Sequence, residues 1–144
     1  MQNKEVLKFI IHVIPRSKKN NMRLIRKNGK TIPIPSKAYE QYENECMYLI
    51  PNEYRKRIDY PVNIKALYYV ERNARIDKTN LESALLDMLV KANVISDDSA
   101  LKPAIVVGTD GSRVFYDKSD PRIEIEITRM WYVNCERSYE NGNN

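Results

Sequence analysis

Arg75-Ile76-Asp77-Lys78-Thr79-Asn80-Leu81-Glu82 leads into an apolar stretch that closes on Ser96-Asp97-Asp98-Ser99, so acidic residues bracket one helix at both ends. Between the brackets Leu81, Ala84, Leu85, Met88, Leu89 and Ala92 recur at three- and four-residue spacing. This predicts a helix over 80–92 with a broad buried stripe, ended by Asn93 in the left-handed conformation. A helix flanked in this way can bring carboxylates from distant positions to one metal-binding point. For Asp77 and Asp98 to meet, the chain must turn back after Asn93, or a dimer partner must complete the site. The same residues also have a plain helical use. Thr79-x-x-Glu82 is a capping box, in which hydroxyl and carboxylate satisfy free backbone amides, and Asp77 suits the positive end of a helix.

Outward from this stretch the pattern alternates between strands and helices. Val62, Ile64, Ala66, Tyr68 and Val70 alternate with Asn63, Lys65 and Tyr69, the period of a half-buried strand, with Leu67 apolar on the second face. Ile123, Ile125 and Ile127 alternate with Arg122, Glu124 and Glu126 in the same way, and Ile105-Val106-Val107 reads as a buried strand. Toward the N-terminus, a strand is expected from Val6 to Ile14, stopped by Pro15, with His12 structural within it. Met22 to Arg26 follows as one arm of a short hairpin with Asn28-Gly29 at its tip. Ser36 caps a helix carrying Tyr39, Tyr42, Cys46, Leu49 and Ile50 until Pro51 ends it. The expectation is an α+β fold, one domain over 1–137 with a mixed sheet and two main helices, then a polar tail over 138–144.

The chain has 144 residues and a formal net charge of +5, with its cations concentrated near the N-terminus. Arg16, Lys18, Lys19, Arg23, Arg26, Lys27, Lys30 and Lys37 fall in a stretch without one Asp or Glu, which favours contact with phosphate over a merely solvated surface. Only Cys46 and Cys135 occur, without a CxxC pair, and there is one histidine, so a zinc site is not expected. Phe9 to Ile14 is too short an apolar run to cross a bilayer, and a cytoplasmic protein with reduced thiols and no membrane partner is expected.

Several of these features fall in a familiar order. A strand, a proline and a Lys-Lys-Asn turn occupy Pro15 to Asn20, and a Ser-Lys-Ala-Tyr helix start occupies Ser36 to Tyr39. Asp-x-x-Asn-Leu follows at Asp77 to Leu81, then Asp97-Asp98, Asp110-Gly111-Ser112-Arg113 and Tyr116-Asp117-Lys118. In this order the chain, from about Ile10 to Ile127, resembles the RusA family of Holliday junction resolvases. The resemblance implies a homodimeric endodeoxyribonuclease of recombination and repair, common in phages and prophages, that resolves four-way or branched DNA by paired symmetric incisions. It implies convergence of the two acidic regions, with Asp77 and Asp98 holding Mg²⁺, or Mn²⁺ as a substitute, and Asp97 supporting Asp98. DNA contact is expected from Arg16, Lys18, Lys19, Arg23, Arg26, Lys27, Lys30, Arg75, Arg113 and Lys118. Two positions depart from the family pattern. Thr79 stands where a second entry carboxylate is usual, and Ser83 where a lysine is usual. Glu82 is the candidate replacement for the first, as metal ligand and catalytic residue, and Lys78 or Lys118 for the second. The alternative is a relative that binds branched DNA without cutting it.

Overall fold

Alternation of apolar residues along three segments builds one sheet, and the intervening helices cover one of its faces. The computed structural model describes residues 6–17, 22–73, 76–99 and 102–131, with the backbone alone for Asp98 and Ser99. Lys18, Lys19, Arg75 and the expected tail over 138–144 lie outside the described residues. The elements are β1 (Val6–Ile11), β2 (Met22–Lys27), β3 (Lys30–Pro35), α1 (Lys37–Leu49), a 3-10 turn at Asn52–Tyr54, β4 (Val62–Val70) and α2 (Lys78–Lys91). The short strands β5 (Asp97–Ser99), β6 (Lys102–Pro103), β7 (Val107–Gly108) and β8 (Arg113–Tyr116) follow, and β9 (Arg122–Arg129) is last.

The fold is α+β with a five-stranded mixed sheet in which β9 lies between β1 and β4, antiparallel to both. Beyond β4, β7 pairs in parallel with its start and β8 in parallel with its end. Parallel neighbours need a crossover, and α2 with the residues after it supplies the one from β4 to β7 and β8. The inner face carries Phe9 and Ile11 from β1, alternate residues Val62 to Val70 from β4, and Ile123, Ile125 and Ile127 from β9, all buried. Leu81, Ala84, Leu85, Met88, Leu89 and Val90 of α2 close over them. Each such aliphatic side chain fully withdrawn from water contributes roughly 1.5–3 kcal/mol.

Where β7 stops and β8 begins, β4 would have unpaired backbone groups on that edge. Buried Ser112 meets them: its Oγ accepts from Ala66 N at 3.0 Å and donates to Ile64 O at 3.3 Å. Asn63 grips the preceding turn at two points, donating from Nδ2 to Asp110 O and accepting from Asp110 N at Oδ1. Gly111 turns there at φ +84, and a Cβ on Gly108 would lie 2.8 Å from Asn63 Oδ1. The Asp110 to Arg113 motif is therefore a structural splice along β4.

Helix α1 begins as expected, with Ser36 Oγ accepting from Tyr39 N at 3.1 Å. Arg55 ties down its far end by donating to the carbonyls of Met47 and Ile50. The β2–β3 hairpin turns on Asn28 (φ 54) and Gly29 (φ 75), both left-handed as a two-residue turn requires. Three expectations change. The first strand ends at Ile11, so His12 lies outside it, exposed, with Nδ1 3.4 Å from Asp120 Oδ1. Of Ile105-Val106-Val107 only Val107 is in a strand, and Val106 is 57% exposed, because β7 meets just the first two residues of β4. Helix α2 starts at Lys78, two residues earlier than the apolar pattern suggests, because Asp77 caps it.

Candidate active site

Helix α2 starts beyond the C-terminal end of β4, the position where open sheets with a parallel crossover commonly bind ligands. After Val70 the chain passes Glu71 and Arg72 and enters α2 through Ile76 and Asp77. The Asp77 carboxylate is the N-cap: Oδ1 accepts from Thr79 N at 2.9 Å. With Asp77 in that role, the Thr79–Glu82 capping box does not form. The Thr79 amide that opens the helix already has its acceptor, and Glu82 Oε1 is buried with no hydrogen-bond partner among the described residues.

Glu82 is 16% exposed, and its only close cation among the described residues is Lys78, Nζ to Oε1 at 4.0 Å. That lysine also donates to Ser112 O at 3.3 Å, which ties the first turn of α2 to the splice on β4. Beneath this turn Tyr68, 1% exposed, presents a hydroxyl that likewise lacks a partner among the described residues. Burial first, and then the Glu82 charge, hold the Tyr68 phenol well above its ordinary range, so it stays protonated. A buried carboxylate oxygen without a hydrogen-bond donor, its nearest cation among the described residues 4.0 Å away, recovers only part of its desolvation cost. A hard cation would repay the rest, and Asp77 and Glu82 carry the carboxylate oxygens that such an ion prefers.

A cleft of about 280 Å³ opens beside Asp77, lined by Ile14, Pro15, Arg16, Val70, Glu71, Arg72 and Ile76. Two arginines from separate segments make it suitable for phosphate. Arg72 and Glu71 were passed over in the sequence because they sit on no periodic element. The signal available was their place between a buried strand and a capped helix.

Asp77, Lys78 and Glu82 all fall in the cap and first turns of α2, where Lys78 stands 4.0 Å from Glu82 and Asp77 is engaged with Thr79 N, while Arg16 shares a cleft with Ile76. The second acidic pair is placed differently. Ile95 N bonds back to Leu89 O, and Ser96 N to Ile58 O, fixing the exit from α2 at its far end. Leu89 lies twelve positions beyond Asp77, about 18 Å along the axis at about 1.5 Å per residue. Asp97 forms an ion pair with Arg57 at 3.1 Å and starts the β5–β6 hairpin. The side chain of Asp98 is outside what is described, and no group of three or more potential ligands occurs among the described residues.

The expected DNA contacts fall on several surfaces. Arg26, Lys27 and Lys30 are exposed around the tip of the β2–β3 ribbon. Arg23 is partly engaged, donating from Nε to Pro35 O with its guanidinium 3.8 Å from Glu40. Arg113 pairs with Leu67 on the uncovered sheet face, and Lys118 is exposed in the loop after β8. In that loop Asp117 accepts from Ser119 and Asp120 and pairs with Arg122 at 3.0 Å. Cys46 is buried, and burial pushes its thiol up to about 12, which makes it unreactive. No helix among the described residues is long and apolar enough to cross a membrane.

Comparison with protein-family models gives a match over residues 13–128 to the family described as Endodeoxyribonuclease RusA. Comparison with curated proteins gives no match.

Proposed function

Because the chain belongs to the RusA family of endodeoxyribonucleases, we propose that it is a Mg²⁺-dependent enzyme that resolves four-way DNA junctions by paired, symmetric incisions. The observation that carries this reading is the buried Glu82 oxygen without a hydrogen-bond partner among the described residues, in the helix that Asp77 caps; Arg16 and Arg72 line a cleft at Ile76, the residue before that cap. Asp77, through the carboxylate oxygen not used in the cap, and Glu82 would hold the metal. The length of α2 separates them from the acidic pair of the same chain, so Asp98 of the partner subunit completes the set. When bound, Mg²⁺ or Mn²⁺ lowers the pKa of a water and offsets charge on the phosphoryl oxygens. The protein's own part is positional. Lys78, held by Ser112 O, neutralises Glu82 until the cation arrives, and Arg16 and Arg72 orient the backbone phosphate. A homodimer presents two such sites related by a two-fold axis, matching the near two-fold symmetry of a four-way junction.

A second reading is a protein that binds branched DNA without cutting it. It is favoured by Thr79, which offers no carboxylate, and by the engagement of Lys78 with Ser112 and Glu82. Cleavage of a labelled four-way junction by wild type and Asp98→Asn, in Mg²⁺ and in EDTA, separates the two. Paired nicks that need the metal and vanish in the variant establish the enzyme. Tight junction binding with no nicking in Mg²⁺ rejects it in favour of the binder.

A further inference from the structure

We propose that the β2–β3 ribbon is a branch-point probe, pressing the apolar face around Leu24 against unstacked bases while its cationic tip holds the flanking phosphates. The proposal rests on the reading of branched DNA as the substrate. The ribbon forms its own two-stranded sheet and, among the described residues, packs extensively against no other element. Such a hairpin is marginal in water and gains most from a partner. Its register divides the residues cleanly between two faces. One face carries Met22, Leu24 and Pro33, with Arg26 toward the tip, and Leu24 stands directly opposite Pro33. Leu24 is 70% exposed and Met22 39%.

At the tip Lys27 faces Lys30 across the ribbon, on the face opposite Leu24. Like charges directly opposed are destabilising unless an anion lies between them. Arg26, also exposed, adds a third cation there, and no carboxylate lies within the ribbon. This charge pattern selects a polyanion as the occupant, rather than a second copy of a chain whose net charge is also positive. A two-stranded ribbon fits a DNA groove, and apolar side chains wedged between base steps unstack them at a cost in stacking energy. The cost is least where bases are already poorly stacked, as at a branch point.

The test uses a four-way junction and a linear duplex, each with 2-aminopurine, at the branch point and mid-helix respectively. Wild type, Leu24→Ala and the double variant Lys27→Ala/Lys30→Ala are compared, with dimer mass followed by sedimentation. Wild type is expected to raise the branch-point fluorescence. Leu24→Ala should lose most of that rise and about tenfold of junction affinity, with duplex affinity and dimer mass unchanged. The double lysine variant should weaken both DNAs alike and lower the salt slope by about 2. A wild type that binds the junction without a fluorescence rise overturns the probe while leaving the substrate reading intact. A loss of dimer mass in Leu24→Ala overturns it by assigning the face to a second copy. Failure to bind any branched DNA overturns both.

Discussion

In the first turns of α2, Asp77 and Glu82 act on stability in opposite directions. The cap made by Asp77 contributes about 1 kcal/mol, while the unpartnered Glu82 oxygen subtracts a similar amount. Asp77→Asn keeps an acceptor at the cap, so urea unfolding should shift by only a few tenths of a kcal/mol, whereas Asp77→Ala should cost about 1 kcal/mol. Both should abolish metal-dependent nicking, which separates the capping role from the chemical one. Glu82→Met should raise stability in EDTA by about 1 kcal/mol and reduce the Mg²⁺-induced rise in Tm seen in wild type, measured by calorimetry. An unchanged Mg²⁺ response in that variant would remove Glu82 from the metal set. The sequence pointed to a cap at Thr79, through the Thr79-x-x-Glu82 box, with Asp77 read only as a charge favourable at a helix N-terminus, although the side chain of either can serve. Which one does depends on where the chain leaves β4. The missing partner of Glu82 is a matter of depth beneath neighbouring side chains, which residue spacing does not encode.

Among the elements, those with strong periodicity were legible: β4, β9, the β2–β3 hairpin and both helices match their apolar patterns, and α1 its Ser36 cap, whereas α2 is capped by Asp77 in place of the expected Thr79–Glu82 box. The shorter pieces were not, because β5 to β8 owe their conformation to neighbours. Val107 is in a strand through the start of β4, and β8 depends on the Ser112 splice. The loop from β8 to β9 has its own organiser in Asp117, whose carboxyl is held below the usual range by hydrogen bonds from Ser119 and the Arg122 guanidinium. A depressed carboxyl contributes stability above its unfolded value of about 3.9 and loses it as pH falls through the lower folded one. The Tm advantage of wild type over Asp117→Asn should therefore be full at pH 6 and shrink on acidification below about pH 4. A difference that stays constant down to pH 2 would show that the loop does not depend on that charge.

For the whole molecule, the question is whether each acidic site draws on one chain or two. Mixed dimers decide it. If Asp77 and Asp98 of a site come from different chains, Asp77→Asn mixed with Asp98→Asn regenerates one intact site per heterodimer and restores nicking on one strand, seen on a denaturing gel. If they come from the same chain, the mixture stays inactive. The sequence put a helix between the two acidic regions but could not say whether the chain turns back to join them, since that depends on where Ile95 and Ser96 are pinned. The sheet order carries one more consequence, for the way the chain is made. Val6 registers with Thr128, so among the described residues β1, the strand nearest the N-terminus, pairs only with β9, the one nearest the C-terminus. At about 5–20 residues per second, the nascent segment Val6–Ile11 waits roughly 6–24 s for its neighbour, with Phe9 and Ile11 uncovered and open to chaperones or misassociation. A chain released before Arg129 would leave two strands without a place in the sheet rather than one.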